Sequence, residues 1–352
     1  MAFITFQPND YFNTKLYTGN ASTNAITGVG FQPDWLWVKS RSRTDSHRLI
    51  DVLRGTNTWK TDSASAQSDA SGDGFTSLDS DGFTLNGSGG GGEFNANSGT
   101  YAAWNWKAGG AGSSNSDGNI TSTVSASTTA GFSIVTWTGT ASAGTIGHGL
   151  GVAPKWVMVK NLDDAQAGTL SLTEVGWTKA LDISSTGASN SSTSYWNDTA
   201  PSSSVVTLGS SNDTNGSGDS MIAYCFAEKP GFSKFGQYTG NGNATNPPFI
   251  YTGFKPAFVL TKADAATEAW TISDIARDNA VGSGNGTGAR LQAHLNNTED
   301  TNATWAAIHK YSNGFSPQHN DGVTNMDGRT YMYMAFAAEP LVSSNGIPAT
   351  AR

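Results

Sequence analysis

The residues that could do chemistry are few and poorly grouped. Five histidines stand at 47, 148, 294, 309 and 319, and none has the spacing of a metal-binding pair such as HExxH. His148, in IGHGLG, is the most inviting, since its glycines could bring backbone close to a ligand; a histidine locking a turn is the plainer reading. Asp69-Ala-Ser-Gly-Asp73-Gly74 begins like a calcium loop, but Ser80 stands where a bidentate glutamate is needed. Gly87-Ser-Gly-Gly-Gly-Gly-Glu93 lacks the Lys-Ser/Thr that grips phosphate, and the chain holds no GxSxG elbow. Cys225 is the only cysteine and sits in an apolar run, so it reads as a buried thiol rather than a nucleophile or disulfide half. The glutamates at 93, 174, 228, 268, 299 and 339 have no evident paired partner, although glycosidase carboxylates meet only in space. The residue types point to no catalytic group, no metal and no cofactor.

The elements that carry these residues recur. FQPDWLWVK (31–39), VAPKWVMVK (152–160) and FKPAFVLTK (254–262) are one phrase written three times. Its prolines, Pro33, Pro154 and Pro256, lie 121 and 102 residues apart, and six positions after each stands a lysine: Lys39, Lys160 and Lys262. Upstream comes aromatic-Thr-Gly, at Tyr17, Trp137 and Tyr238; downstream comes an Ala- and aromatic-rich run, YAAWNWK, MIAYCFAE and YMYMAFAAE. Four landmarks in one order indicate a tandem triplication. Proline cannot donate to a ladder and belongs at a strand entrance, so the phrase reads as a central strand. Its lysine reads as the point where that strand emerges into solvent, the stem lying along an apolar rim. HRLIDVLR (47–54) aligns with WTISDIAR (270–277), so Asp51 matches Asp274 and Arg54 matches Arg277; the middle copy keeps Asp182 but has Ser185 in place of the arginine. An aspartate and arginine three apart can pair and pin a loop.

The period within each copy is that of strands, as in the alternation of Trp104 and Trp106 with Ala103 and Asn105. Asp73-Gly74, Asp81-Gly82 and Asn313-Gly314, each followed by phenylalanine, mark tight turns. The expectation is an all-β chain of three tandem antiparallel β-sandwich repeats, jelly-roll or lectin-like, at 1–110, 118–229 and 230–352, each with its own core. KAGGAGSSNS, from Lys107 to Ser116, reads as a flexible linker that lets the first unit swivel unless an interface locks it, and Glu228-Lys-Pro-Gly as a stiff joint.

Composition agrees with β structure: 42 glycines, 11% aromatics and 37% hydrophobic residues among 352. A net charge of −8 disfavours nucleic-acid binding. The N-terminus reads as no signal peptide, and no window approaches the roughly 18 apolar residues of a membrane span. Most tryptophans fall in expected strands. Trp59, Trp196 and Trp305 lie in Asn/Ser/Thr-rich stretches, where an exposed ring could stack on a sugar or anchor a protein.

The phrases MAFITFQPNDYFNTKLYTGN, GFSIVTWTGT, TIGHGLGVAPKWVMVKN, YCFAEKPGFSKFGQYTGNG and YMYMAFAAEP span the chain, and together they resemble a repeat domain that recurs in virion proteins of marine tailed bacteriophages. That resemblance implies a non-enzymatic structural protein on the particle surface, assembled in the host cytoplasm. Its role would be that of a tail-fibre or spike component contributing to host attachment. Its partners would be other virion proteins, further copies of itself, and a glycan or protein of the host surface. No coiled-coil stalk is evident, so a capsid decoration protein is the alternative; a polysaccharide-degrading enzyme is a third reading.

Overall fold

The computed structural model describes residues 7–277, 288–303 and 307–338. In its first third, the strands are β1 (Phe12–Thr18), β2 (Asn24–Thr27), β3 (Trp35–Ser40), β4 (Arg48–Asp51) and β5 (Asn57–Trp59). They continue with β6 (Ser68–Asp69), β7 (Phe75–Asp79), β8 (Gly82–Leu85) and β9 (Thr100–Trp106). The middle third has β10 (Ser113–Asn115), β11 (Ser122–Ser127), β12 (Phe132–Thr138), β13 (Gly144–Gly147) and β14 (Trp156–Asn161). After these come β15 (Thr169–Leu172), β16 (Lys179–Asp182), β17 (Asn190–Ser191), β18 (Val205–Leu208) and β19 (Ser220–Phe226). The last third has β20 (Ser233–Thr239), β21 (Ile250–Tyr251), β22 (Pro256–Ala263), β23 (Thr271–Asp274) and β24 (Gly288–Gln292). It ends with β25 (Asp300–Ala303), β26 (Ile308–Tyr311), β27 (Gly314–Pro317) and β28 (Thr330–Ala337).

The chain is all-β, and its strand pairs are antiparallel. Three large sheets run β1-β9-β3-β4-β5-β6, β12-β19-β14-β15-β16-β17 and β20-β28-β22-β23-β24-β25, the second extended at one edge by β11 and β10. Each faces a small sheet: β2-β8-β7, β13-β18 and β21-β27-β26. In every large sheet the recurring phrase is a central strand flanked by the alanine-rich one, with Trp35 opposite Trp106, Trp156 opposite Phe226 and Phe258 opposite Phe336. Pro33, Pro154 and Pro256 are all buried at its entrance.

Strand alternation divides the side chains between two kinds of core. Leu36 and Val38 of β3 face the first small sheet and pack with Ile26, Phe83 and Leu85. Val157 and Val159 pack likewise with Ile146, Val206 and Leu208, and Val259 with Ile250 and Phe315. The opposite faces of all three large sheets meet in a single cluster that holds Trp35, Trp37, Trp104, Trp106, Trp156, Tyr224, Phe226, Phe258 and Phe336. Rings cross every boundary within it: Trp35 lies 4.7 Å from Tyr224, Phe226 5.7 Å from Phe336, and Trp104 5.8 Å from Phe258. The expectation that each third owns its whole core is therefore half of the arrangement; the larger core is held in common. Burying one such ring is worth roughly 1.5–3 kcal/mol. Exposing even half a dozen would consume the roughly 5–15 kcal/mol by which a folded domain is stable.

The Lys107–Ser116 joint is not a swivel. The buried Asp34 carboxylate accepts the Ala108 N–H at 2.7 Å and the Gly110 N–H at 3.1 Å, while Gly109 donates to Ser125 Oγ at 3.1 Å. A Cβ on Gly109 would sit 2.5 Å from Ala126 O, so the glycine serves close packing here and not freedom of movement.

The aromatic-Thr-Gly landmark is explained by a close approach of backbones. A Cβ on Gly19, Gly139 or Gly240 would fall 2.3, 1.9 or 2.4 Å from the carbonyl of Ala96, Gly216 or Met326. Just before each of those carbonyls stands a buried asparagine, Asn95, Asn215 or Asn325, whose Oδ1 accepts from the residue after the glycine at 3.0, 3.0 and 2.9 Å. Replacing Gly139 by alanine is expected to destabilise the protein by about 1–3 kcal/mol, the usual range for forced overpacking. Chemical denaturation checks this, and an unchanged midpoint would mean that the turn and the Asn215 loop do not touch.

Candidate functional site

The three lysines end their strands buried, against the expectation that they emerge into water. Each turns its ammonium onto carbonyls of the loop that follows. Lys39 Nζ donates to Ser40 O at 2.6 Å and Arg43 O at 3.2 Å, and Lys262 Nζ to Ala263 O at 2.7 Å and Ala266 O at 2.9 Å. Lys160 Nζ donates to Asp164 O at 3.4 Å, to Gln166 O, and to Ala64 O of the first third at 3.2 Å. In all three the carbonyl four residues on is an acceptor, so the loop is wound around the amine. Burial lowers each amine to about 8.

What these loops present is a junction. The carbonyl two residues past each lysine accepts a backbone N–H from the neighbouring third: Gln67 N to Leu162 O at 2.9 Å, Ser189 N to Asp264 O at 2.9 Å, and Glu299 N to Arg41 O at 2.8 Å. The donors stand at equivalent places, immediately before β6, β17 and β25. First binds second, second binds third and third binds first, so the three sheets close a ring.

The Asp/Arg pairs lie at the same junctions. Asp51 Oδ2 accepts from Arg54 Nε at 2.7 Å and from the hydroxyl of Tyr224, in the next sheet, at 2.8 Å; Trp59 Nε1 donates to that hydroxyl at 3.2 Å. Asp274 Oδ2 accepts from Arg277 Nε at 2.5 Å and from Trp104 Nε1 at 3.0 Å. Arg277 reaches on to Glu299, which Arg41 grips with two nitrogens. Burial by itself would raise the Asp274 carboxyl, but Arg277 outweighs it and holds the group below its ordinary value. Tyr224 and Trp104 occupy one register position, opposite Met158 and Trp37; the third member, opposite Leu260, is Met334, which has no N–H or O–H to give. That junction also lacks the arginine, having Ser185. Asp182 there is raised by burial and by Asp213, and the Trp270 Nε1–H crosses the junction to the Asp182 backbone carbonyl at 3.0 Å. The missing arginine and the missing donor fall at the same interface, which keeps only the aspartate of the pair.

Other sequence candidates are absorbed into the fold. Trp59 is buried under Tyr224 and close to Gly168 of the second third, and Trp196 is buried with its Nε1 on Lys179 O at 3.1 Å. Neither is the exposed ring expected from its polar neighbours; Trp305 lies outside the described residues. His148 Nδ1 accepts from Leu150 N at 3.2 Å and its Nε2 faces Ser202 O, which locks a turn. His47 Nδ1 accepts from Trp37 Nε1 at 2.9 Å, so its Nε2 carries the proton and donates to Gln292 O across the first–third junction. In the calcium-like loop Asp69 binds Ser71 and Asp73 pairs with Arg48.

Exposed aromatics occur elsewhere. Phe249, Tyr251 and Tyr311 are 51%, 61% and 41% exposed; the two tyrosines stand on the third small sheet, and Phe249 directly precedes its strand β21. Tyr251 and Tyr311 are both register partners of Gly314, one on each flanking strand, and the Phe249 ring is 5.8 Å from that of Tyr311. The sequence signal was present in NPPFIYTG, where two prolines and a glycine bound an alternation too short to bury both faces.

The chain belongs to the family described as Domain of unknown function (DUF7483), which matches residues 7–340. No curated protein and no solved structure matches it.

Two outcomes follow from the junctions. Tyr224→Phe strips a hydroxyl shared by Asp51, Arg54 and Trp59 and is expected to cost about 1–3 kcal/mol, whereas Met334→Leu at the matching position costs less than about 1.5 kcal/mol; equal costs in urea denaturation would contradict the assignment. The lysines predict a pH effect of definite sign. Between pH 8 and about 10 an unfolded lysine keeps its proton while the buried one has lost it, so stability due to these groups rises with pH. The stability difference between wild type and Lys262→Met should therefore shift toward wild type over that window; a flat difference means the amine titrates normally.

Proposed function

We propose that the chain is three tandem copies of one β-sandwich, closed into a pseudo-threefold ring, and that it is a non-enzymatic structural protein displayed on a virion surface. In this reading it acts as a tail-fibre or spike component that contributes to host attachment. The observation that carries the repeat reading is the ring-closing hydrogen bond, which recurs at the same register of all three junctions. The use of charge favours a structural role. Glu93, Glu174, Glu228, Glu268 and Glu299 are each paired with lysine or arginine, and Asp51 and Asp274 are spent on arginine and a neighbouring sheet. A general acid or base needs a carboxyl turned toward a substrate, and these are turned toward basic side chains of the chain itself. A ring with one shared core also presents its outer loops at fixed angles, which suits multivalent display: weak contacts add when their geometry is held.

Antibody labelling of intact particles from the source phage tests the reading. Label at the tail or its fibres is expected. Label over the capsomer faces would make the chain a decoration protein, and its absence from purified particles would end the virion proposal.

A further inference from the structure

We infer that the outer face of the third small sheet, built from Phe249, Tyr251 and Tyr311 around Gly314, binds an uncharged glycan. The inference rests on the attachment role proposed above and names its ligand.

The three sandwiches serve as controls for one another. Ile250 and Phe315, which face inward, correspond by register to Ile26 and Phe83 in the first small sheet. The outward positions differ: Phe249, Tyr251 and Tyr311 stand where the first has Ala25, Thr27 and Asp79. In the second, Thr145 and Gly147 flank the inward Ile146. The scaffold is thus complete without the three rings, and their exposure is a cost that folding does not require.

Charge and chemistry favour a neutral sugar. No Asp, Glu, Lys or Arg occurs from Gly240 to Phe254 or from Tyr311 to Gln318, on a chain of net charge −8. Lys310, between His309 and Tyr311, points the other way, its Nζ on Ser273 Oγ of the large sheet. The chain leading into Phe249 offers amides and hydroxyls instead, in a loop where Asn243 Oδ1 accepts from Thr245 N and Asn246 N, both at 2.9 Å. A pyranose has one face of polarised C–H groups and a rim of hydroxyls. Aromatic faces carry negative charge density that attracts the former, and neutral amides and tyrosine hydroxyls bond the latter. Gly314 has no side chain to stand between Tyr251 and Tyr311, and a Cβ there would lie 2.7 Å from the Phe249 ring. Tyr251 and Tyr311 stand on paired strands, and Phe249 directly precedes β21 with its ring against that of Tyr311, so little ordering entropy is lost on binding.

The test uses the full chain on an array of immobilised neutral and acidic oligosaccharides, with titration calorimetry on any glycan it retains. The variant Phe249→Ala/Tyr251→Thr/Tyr311→Asp installs the residues that the first sandwich carries at the same backbone positions, so it should melt like wild type. Wild type is expected to hold neutral glycans, and the variant to lose affinity by at least about tenfold. Retention of acidic glycans alone, no retention, or equal binding by the variant would each overturn the site. Self-association of wild type, seen by sedimentation and lost in the variant, would make a second copy of the chain the occupant and overturn it too. None of these outcomes bears on where antibody labels the particle, so the attachment site and the particle assignment fail separately.

Discussion

The structure depends on a lysine amine buried at the end of each central strand. A charge removed from water must find partners, and the nearest are the carbonyls of its own succeeding loop. Winding that loop around Lys39, Lys160 or Lys262 fixes the carbonyl two residues on, and that carbonyl receives the neighbouring sheet. A strand ending in solvent would leave the loop free and the junction without a fixed acceptor. Core, loop and ring closure are thereby linked through one side chain in each third.

The three junctions share a backbone pattern and differ in chemistry. Two use an aspartate–arginine pair that accepts from the partner sheet, through Tyr224 or Trp104. The second–third junction relies on packing, with Trp156 6.4 Å from Trp270 and the Trp270 N–H on a carbonyl. A buried ion pair gains little over well-packed apolar groups, so a junction can dispense with the arginine and the cross-sheet donor and be held by packing. The ring keeps its geometry because the backbone bond, common to all three, carries the register.

Much of this was legible in the residues. The threefold recurrence, the strand period, the prolines at the strand entrances and the Asp51–Arg54 and Asp274–Arg277 pairs all follow from local spacing. What was illegible depends on groups that meet from distant parts of the chain. The lysines read as solvent markers because nothing local shows a loop folding back over them. Trp59 and Trp196 read as exposed because their neighbours are polar, yet Trp59 is covered by another third of the chain, and Trp196 packs against Trp177 with its Nε1 on the Lys179 carbonyl. The glycine-rich joint reads as flexible, although its glycines permit contact with Ala126 and its amides are taken by Asp34. Asn95, Asn215 and Asn325 stand in Asn-rich text, where only the constant interval of six residues to Tyr101, Met221 and Tyr331 distinguishes them.

The central claim is that three sheets share one core and therefore stand or fall together. Differential scanning calorimetry of the intact chain tests it most directly. One endotherm is expected, with the van't Hoff and calorimetric enthalpies equal, as for a single cooperative unit. Separate transitions, or a van't Hoff enthalpy near a third of the calorimetric value, would mean that the thirds melt as independent domains and that no common core binds them.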